Sequence, residues 1–521
     1  MTIRPQGFRI TLLILLAGIA RLPAAEDEPN RYAPPAYADR NRRQVADAVM
    51  PEIDQLFRAY VEANHVPGAA YGIVLDGKLI HQGAIGLANI ERKFPVNAAT
   101  RFRIASMTKS FVALAVLKLR DEGKLRLDDP VERYLPELRR VRPPTADSPR
   151  MTIRNLMTMT TGLPEDNPWG DQQLAIHADE LRKFVGGGLS FSNPTGQQFE
   201  YSNLGFVLLG QVVSKVAGMP FQKYITKNIL QPLGMTKTEW EFANVPPPEL
   251  ALGYRWEDDT WKPEVMLHDG EGAAAGGLLT TIEDFSRYVA FHLDAWPARD
   301  DPDSGPIRRS TRREMHMARA FRGITNNPMM PDGTTPNPSA LAYAYGLGWV
   351  ADSREIVRLA HSGGLPGFGS YYVFVPDYGV GIIAFSNLTY ETLNKPATSA
   401  LNLLLAPGKL EKRQPATSAI LEKRKNQLAE LLVSWDERLV REILAENFFR
   451  DRSREHWIQF TREKFEPLGP IKSVGPIEPE NQLRGEFFIT GEHGKVGVYF
   501  TLTPERVPKV QEVQLKSVPA E

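Results

Sequence analysis

The chain has 521 residues, of which 42% are hydrophobic and 24% are charged, so it can form one large domain and a smaller one. Lysine plus arginine and aspartate plus glutamate both number 62. Bulk charge therefore does not favour nucleic acid or an anionic membrane as a partner. The absence of cysteine excludes disulfides, thiolate metal sites and cysteine nucleophiles.

The N-terminus has the pattern of a secretory signal. Arg4 and Arg9 precede an apolar run at Ile10–Ala20, and small residues follow before an acidic stretch. The run is short for a bilayer span. We expect a signal peptide over residues 1–25 and a polar, proline-rich linker over 26–44. This pattern predicts export to the periplasm or the medium, with an uncleaved membrane anchor or a buried N-terminal helix as the alternatives.

Strand-like sequence lies at both ends of the main region, with helical sequence and long loops between. Apolar runs on either side of Asp76-Gly77 predict a hairpin, because that turn requires positive φ. The other predicted elements are a helix over Val45–Asn64, strands over Tyr345–Gly364 and Ser370–Asn387, and a helix over Thr392–Leu405. We expect an α/β (α+β) fold over residues 45–407, with an antiparallel sheet formed by both ends of the domain, flanking helices and an inserted helical lobe.

A second, smaller domain is predicted after a linker over residues 408–419. Residues 420–517 begin with helical sequence and continue with strands, and "GKVGVYFTL" (Gly494–Leu502) alternates as a half-buried strand does. This order of elements resembles the small α+β fold of nuclear-transport-factor-like modules. No residue in it forms a catalytic set, so we expect it to pack, to hold a ligand or to form a homodimer.

The segment "RIASMTKSF" places a serine and a lysine at the start of a helix that is apolar on nearly every side. Ser106 and Lys109 lie one helical turn apart, so their side chains share a face. Burial and the helix N-terminus both disfavour the charged lysine, and a neutral amine can take the proton of a serine hydroxyl. Taken alone, the segment is equally explained by Ser106 as a helix cap and Lys109 extending to solvent.

Two further segments supply groups suited to the same chemistry. In "FEYSNLGFVLLG" (Phe199–Gly210), Tyr201 can relay a proton and Asn203 can orient a lysine or a substrate carbonyl. In "HSGGLPGFG" (His361–Gly369), the glycines let a substrate backbone lie along a strand edge and leave an N–H for an oxyanion. Each segment by itself is also explained as a turn or a strand end.

Together and in this order, the Ser-x-x-Lys, Tyr-x-Asn and His-x-Gly motifs resemble those of the serine penicillin-recognising family. That family includes class C β-lactamases, D-Ala-D-Ala carboxypeptidases, D-aminopeptidases and related esterases. The resemblance covers about Val45 to Pro407 and includes "MTIRNLMTMTTGLP" (Met151–Pro164), "GAAAGGLLTTIEDFSRY" (Gly272–Tyr288) and "YGLGWV". It implies a serine hydrolase that cleaves an amide, peptide or ester bond through an acyl-enzyme, with no cofactor and no metal.

The resemblance implies a role for each residue of the first two motifs. Ser106 is the acylated nucleophile, and Lys109 is its hydrogen-bonded base. Tyr201 accepts and donates the transferred proton. Asn203 orients Lys109 and the substrate amide. These four residues form the catalytic set that we expect in one cleft.

The third motif departs from the family, because it reads His-Ser-Gly where many members have Lys-Thr-Gly. The resemblance implies that His361 assists proton transfer or carboxylate binding, and that the N–H groups of Ser106 and Gly364, next to Gly363, bind the oxyanion. A histidine is only partly charged at neutral pH. We therefore expect weak or pH-dependent attraction to a substrate carboxylate, which favours peptidases and esterases. Met159 stands where relatives often have histidine, so we expect a local hydrogen bond to be lost.

Two functions from different classes follow from these motifs. The first is an exported hydrolase acting on a small-molecule or peptide substrate, such as a cell-wall fragment. The second is a non-catalytic protein of the same fold that binds a muropeptide or a protein partner, and the intact serine, lysine and tyrosine favour the first. No Gly-x-Ser-x-Gly or His-Glu-x-x-His motif competes. His268 could line the cleft, and the acidic segment Asp301–Pro306 could bind calcium. For both, a structural or solvent-exposed loop is the favoured interpretation.

Overall fold

The computed structural model describes residues 32–326 and 335–518. Two compact units divide this part of the chain. The larger unit comprises Pro35–Gln414, and the smaller comprises the described residues of Met1–Pro34 and Pro415–Glu521. Helices account for 35% and strands for 25% of the structure. The mixed helix-and-strand fold class predicted from the sequence is therefore confirmed.

The bounds of the elements of the larger unit follow in chain order. Its helices are α1 (Arg42–Asp47), α2 (Met50–Ala63), α3 (Thr108–Asp121), α4 (Ile153–Thr158), α5 (Asn167–Gly170), α6 (Ala178–Gly186), α7 (Asn203–Ala217), α8 (Phe221–Ile225), α9 (Ala273–Gly276), α10 (Ile282–Leu293), α11 (Arg309–Met315) and α12 (Asn394–Leu404). Its strands are β1 (Gly68–Leu75), β2 (Lys78–Asn89), β3 (Phe94–Pro95), β4 (Phe102–Arg103), β5 (Tyr254–Glu257), β6 (Thr260–Pro263), β7 (Leu279–Thr280), β8 (Ala320–Thr325), β9 (Ser339–Tyr343), β10 (Gly348–Asp352), β11 (Val357–Leu365), β12 (Phe368–Val375) and β13 (Val380–Ser386).

The start of the larger unit differs from the prediction in two details. The linker expected over residues 26–44 does not reach residue 44, because α1 already begins at Arg42. The guanidinium of Arg42 is buried and donates to Asp76 at 3.0 Å and to the carbonyl oxygen of Tyr378 at 2.6 Å. The single predicted helix is also divided into α1 and α2, since a proline at the start of α2 cannot continue the hydrogen-bond ladder. The predicted signal peptide lies outside the described residues.

The main sheet has nine strands in the order β3-β2-β1-β13-β12-β11-β10-β9-β8. Strand β1 from the start of the unit pairs antiparallel with β13 from its end, and Ile73 lies opposite Ile382. The predicted hairpin is formed by β1 and β2 around Asp76-Gly77. A sheet built from both ends of the unit, with the helical segments between them in sequence, is therefore confirmed.

Strand β13 shows how the sheet is held between two helical layers. Its residues are all buried, as expected of a strand covered on both faces. Ile383 and Phe385 pack into the core that contains α3, α7 and α10, whereas Ile382 and Ala384 pack into the core that contains α2 and α12. Successive side chains of a strand point to opposite faces, so the apolar run of β13 contributes to both cores.

Helix α3 is the central helix of the first core. Its residues from Thr108 to Leu117 are all buried, including Lys109. Among the described residues, no single helix is long and apolar enough to cross a bilayer. The bent pair Asn203–Ala217 and Phe221–Leu230 meets the criteria of length and composition only when its two helices, at 73° to each other, are taken together.

The smaller unit combines three helices with a separate antiparallel sheet. Its elements are α13 (Ala419–Ser434), α14 (Glu437–Ile443), α15 (Arg454–Phe465), β14 (Ile471–Val474), β15 (Glu478–Asn481), β16 (Arg484–Gly491), β17 (Gly494–Leu502) and β18 (Val510–Val518). The strand order is β14-β16-β17-β18, and β15 also pairs with β16. In β17, alternate residues such as Val496 and Val498 are fully buried in the core of this unit. The sequence predicted helices followed by strands in this unit, and the structure has that order.

Candidate active site

A strained turn presents the serine at the start of α3. Ala105 has a φ of +48°, a region that residues with a side chain rarely adopt. Ser106 follows in a short 3₁₀ turn and is 8% exposed. Strand β11 lies against this turn, since a Cβ added to Gly363 would come within 2.2 Å of the carbonyl oxygen of Ile104. Glycine at 363 thus permits the close approach of the strand to the serine turn.

Lys109 is fully buried and contacts three oxygen atoms. Its Nζ lies 2.9 Å from Oγ of Ser106, 2.6 Å from Oδ1 of Asn203 and 2.8 Å from the carbonyl oxygen of Ala275. Ala275 belongs to the small-residue helix α9, which packs closely on α7 because Gly210 has no side chain. The first two predicted motifs are therefore brought together around one amine.

Burial lowers the pKa of Lys109 from 10.5 to about 7. The carboxylates of Asp171 and Asp166 act in the opposite direction, because negative charge favours the ammonium. Desolvation is the larger effect. A substantial fraction of the amine is therefore neutral at neutral pH, as the position of Lys109 in a buried helix predicts.

Tyr201 precedes α7 and lines the same cleft as Ser106. The Nζ atom of Lys109 is 5.0 Å from the centre of its ring, and the hydroxyl of Ser106 is near enough to influence the pKa of its phenol. Burial raises the pKa of Tyr201 well above 10. The phenol is therefore protonated over the physiological range and is available as a proton donor.

Asn203 is held at the first turn of α7 by residues of the loop and helix around α5. Asp166 accepts hydrogen bonds from the backbone N–H of Asn203 at 2.6 Å and of Leu204 at 2.9 Å, which places a carboxylate at the positive end of the helix. A Cβ on Gly170 would lie 2.7 Å from Cβ of Asn203, so α5 approaches Asn203 closely only because glycine is there.

His361 lines the same cleft, and its ring nitrogens bond to groups other than Lys109 and Ser106. Its Nδ1 lies 2.6 Å from the carbonyl oxygen of Ser362, and its Nε2 lies 3.0 Å from the hydroxyl of Tyr343. A carbonyl oxygen only accepts, so Nδ1 carries the hydrogen and Nε2 accepts from Tyr343. Burial lowers the pKa of His361 to about 3. The ring is thus neutral, which differs from the partial charge expected from the sequence.

The two glycines of the third motif have different surroundings. Gly364 lines the cleft, and a Cβ added there would meet the ring of Tyr390 at 2.7 Å. Gly363 is buried against the serine turn and is not part of the cleft wall. Gly364 is therefore the residue of the pair whose backbone is placed to meet a substrate.

These residues surround an open cleft of about 600 Å³. Its wall includes Ser106, Asp171, Tyr201, His361, Gly364 and Tyr390. Arg322 from the edge strand β8 lies over the ring of Phe199 at 4.5 Å. Its charge acts against the burial that raises the pKa of Tyr201, and it adds to the burial that lowers the pKa of His361. The cleft therefore combines acidic and cationic groups around a nearly neutral centre.

Other candidate residues lie outside this cleft. Met159 is buried and ends α4 in the left-handed conformation, with a φ of +54°. His268 is exposed and pairs with Glu241 at 3.1 Å. The acidic stretch at Asp301–Pro306 pairs with arginines such as Arg309. Within residues 32–326 and 335–518, no group of three histidine or acidic side chains is arranged to hold a metal ion.

Several residues of the site are not part of the motifs recognised in the sequence. They are Asn167, Asp171, Arg322, Tyr343 and Tyr390. Asp171 carries a partial signal, because it lies in an acidic, proline-containing loop directly after the family-like segment that ends at Pro164. Arg322 and Tyr343 reach the cleft through strand pairing, since β8 and β9 are neighbours in the sheet.

Comparison with known proteins gives consistent matches. A family model described as beta-lactamase matches residues 53–406. Protein flp of Staphylococcus aureus strain N315 is 30% identical over 390 residues, which is 72% of this chain and 70% of that protein. Esterase EstB of Burkholderia gladioli is 28% identical over 393 residues, which is 68% of this chain and 95% of the esterase.

Solved structures share the fold. The octameric penicillin-binding protein homologue from Pyrococcus abyssi superposes with a TM-score of 0.57 at 20% identity, covering 90% of this chain and 96% of that chain. The penicillin binding protein from Bacillus halodurans gives a TM-score of 0.52 at 23% identity, covering 67% and 98% respectively. At these identities the likeness concerns the fold.

Proposed function

The chain belongs to the beta-lactamase family, and we propose that it is a serine hydrolase that cleaves an ester, amide or peptide bond through an acyl-enzyme on Ser106. The contacts of Lys109 carry this proposal. A neutral amine has two N–H donors and one lone pair. The oxygens of Asn203 and Ala275 can only accept, so they take both N–H groups. The lone pair is left for the hydroxyl of Ser106.

Acylation follows from this arrangement. Lys109 takes the proton of the Ser106 hydroxyl while Oγ forms a bond to the substrate carbonyl carbon. The negative charge that develops on the carbonyl oxygen is stabilised by the N–H groups of Ser106 and Gly364, the pair implied by the family resemblance. The leaving group takes a proton from the hydroxyl of Tyr201 as its bond to carbon breaks.

Hydrolysis of the acyl-enzyme reverses these proton movements. A water molecule attacks the ester carbonyl carbon and gives its proton to the Tyr201–Lys109 pair, and the released Oγ of Ser106 recovers a proton from that pair. The net reaction consumes one water, and every side chain returns to its starting state. Between the two steps, the proton that Lys109 took from Ser106 passes to Tyr201, because the raised pKa of Tyr201 favours the protonated phenol.

Esters are the substrate class that we propose first. The likeness to Esterase EstB extends over nearly the whole length of that enzyme. His361 is neutral, so the position where many members of the family have a lysine carries no cation toward a substrate carboxylate. We also propose that the protein is exported and acts on a small-molecule or peptide substrate, which includes cell-wall fragments.

An active-site-directed reagent tests the proposal. The full-length protein is incubated with a fluorophosphonate and with short-chain p-nitrophenyl esters, and intact mass and ester hydrolysis are measured. We expect one covalent adduct and burst or steady hydrolysis in wild type, and neither in Ser106→Ala. Ser286→Ala is the matched control, because the hydroxyl of Ser286 donates to the carbonyl oxygen of Glu283 within α10, so its loss should leave labelling unchanged.

Absence of any adduct in folded wild-type protein contradicts the proposal. In that case the alternative function, a non-catalytic binder of muropeptides or of a protein partner, gains support. Labelling that persists in the Ser106 variant also contradicts it, because another nucleophile would then react. Profiling ester, D-amino-acid amide, acyl-D-Ala-D-Ala and cephalosporin substrates on the labelled enzyme then identifies the bond that is cleaved.

A further inference from the structure

Asp171 is a buried carboxylate in the cleft wall that none of the three motifs includes. It is 5% exposed and follows α5 directly. Its Oδ1 accepts from Nδ2 of Asn203 at 3.4 Å, and its Oδ2 accepts from the hydroxyl of Tyr390 at 3.1 Å. The ring of Tyr390 in turn lies against Gly364. Asp171 therefore joins the catalytic amide to the opposite wall of the cleft.

The first consequence concerns the orientation of the Asn203 amide. Nδ2 has two hydrogens, which it donates to Oδ1 of Asn167 at 3.0 Å and to Asp171. Oδ1 of Asn203 is then directed at Lys109. A rotated amide would place its oxygen against the carboxylate and its N–H groups against the amine. Asp171 opposes that rotation, so the lone pair of Lys109 is kept for the serine hydroxyl.

The second consequence concerns charge. Asp171 and Asp166 are the carboxylates that counteract the effect of burial on Lys109. Tyr201 and His361 also face this region, but both are uncharged near neutral pH, and the guanidinium of Arg322 acts on those two groups. Asp166 caps α7 through two backbone N–H groups, so its charge is tied to the start of that helix.

From this geometry we propose that Asp171 is a positioning residue of the catalytic cluster. Through Asn203 it holds the amine of Lys109 in the orientation that accepts the Ser106 proton, and its negative charge opposes loss of the Lys109 proton. The inference rests on the proposed function, because it assigns Asp171 a part in the same acylation step. Asp171 does not touch the reacting atoms.

The test follows the protonation of Lys109 directly. Full-length protein labelled with ¹³Cε-lysine is titrated by NMR, and the Lys109 resonance is assigned by its absence in Lys109→Met. In Asp171→Asn we expect the midpoint to fall by about 0.5–1 pH unit, since one nearby negative charge is removed. The acidic limb of ester hydrolysis should move with it to lower pH. In Asp171→Ala, kcat should also fall, by about tenfold or more, with KM little changed.

Matched variants separate charge from packing. Glu165→Gln removes one negative charge from the same loop, but Glu165 is exposed and makes no hydrogen bond to Asn203, so the Lys109 midpoint should stay within about 0.2 pH unit of wild type. Asn167→Ala removes the other acceptor of the Asn203 amide without changing charge. It should lower kcat and leave the midpoint unchanged.

A second substitution guards against an unfolded Asp171 variant. Tyr390→Phe removes the hydroxyl that donates to Asp171. Burial raises the pKa of the Asp171 carboxyl and this hydrogen bond lowers it, so the substitution should raise that pKa further. The carboxyl is then less ionised near pH 6, and the midpoint of Lys109 should shift in the same direction by a smaller amount. Circular dichroism confirms that each variant is folded before it is titrated.

The outcomes distinguish this inference from the proposed function. An unchanged Lys109 midpoint in folded Asp171→Asn, or an equal shift in Glu165→Gln, overturns the inference even if the enzyme hydrolyses esters. A midpoint that falls as expected supports the charge contact with Lys109. If that same protein is never acylated at Ser106, the proposed function fails separately.

Discussion

Two buried polar clusters in the larger unit show that burial alone does not make an active site. One surrounds Lys109. The other joins α10 to the end of α11, where Nδ1 of His292 lies 2.8 Å from Nε2 of His316, and Nε1 of Trp296 donates to Nδ1 of His316 at 2.9 Å. Burial lowers the pKa of Lys109, of His292 and of His316. Both clusters therefore hold neutral bases.

The two clusters differ in whether their hydrogen bonds connect the neutral base to a group that is open to the cleft. Trp296 can only donate, so His316 accepts at Nδ1 and donates from Nε2 to His292. This series of hydrogen bonds ends at Nε2 of His292, which has no hydrogen-bond partner among the described residues. Around Lys109, by contrast, the lone pair meets a serine that opens on a cleft. We infer that the histidine cluster is structural, whereas the lysine cluster is reactive.

The strongest test of this comparison is the substitution Lys109→Met. We expect ester hydrolysis and fluorophosphonate labelling to fall by at least about 100-fold, because the general base is removed. The thermal midpoint should equal or exceed that of wild type, since the buried amine costs free energy that a thioether does not. Calorimetry and kinetics on the same preparation measure both. A large loss of stability with modest loss of rate would make Lys109 a structural residue like the histidines.

The pH dependence of rate should follow the lysine cluster. The base must be neutral to accept the serine proton, and the pKa of Lys109 is about 7. We therefore expect kcat/KM to fall by about tenfold per pH unit below that value and to level off above it. Measurement between pH 5 and 9 in buffers of constant ionic strength checks this. A rate that is flat across pH 7 would exclude Lys109 as the base.

The pH dependence of stability should follow the histidine cluster instead. The pKa of His316 falls from 6.5 to about 3 in the folded protein, so the unfolded chain binds more protons between these values. The contribution of this histidine to stability is complete above pH 6.5 and is lost as pH falls, by up to about 1.4 kcal/mol per pH unit.

His316→Leu is the matching substitution. It leaves the N–H of Trp296 without its acceptor and should cost about 2–4 kcal/mol of unfolding free energy at pH 7. It should also reduce the acid sensitivity of stability, while the labelling rate per folded molecule stays unchanged. Urea unfolding at pH 5 and pH 8 provides the comparison. A loss of labelling in folded His316→Leu would link the two clusters and remove the distinction drawn above.

The contrast also shows what the sequence can predict. Apolar runs around a turn gave the β1–β2 hairpin, and the alternation of "GKVGVYFTL" gave β17, because both signals are local. The motif order predicted that Ser106, Tyr201 and Asn203 meet around Lys109. The division between α1 and α2 was missed although its proline is visible at position 51, since helical periodicity continues across the break.

Partners brought in by tertiary structure were beyond the sequence. Asp171 and Tyr390 are 219 positions apart, and their hydrogen bond depends on how α5 and the loop after β13 meet across the cleft. The state of His361 was missed for the same reason. Its neutrality depends on burial and on the hydroxyl of Tyr343, a residue of the non-adjacent strand β9. Motif residues are predictable, whereas the groups that set their protonation come from elsewhere in the fold.

The smallest expected effect follows from that neutral histidine. Glutamine at 361 can still accept a hydrogen bond from Tyr343 and carries no charge at any pH. We therefore expect His361→Gln to lower kcat/KM by less than about tenfold and to leave the midpoint of the pH–rate profile unchanged, because Lys109 alone sets it. Kinetics from pH 5 to 9 on wild type and variant decide the matter. If the variant instead loses an acidic limb or selectively loses activity toward carboxylate-bearing esters, His361 is charged during catalysis and belongs with Lys109 among the titrating groups of the cleft.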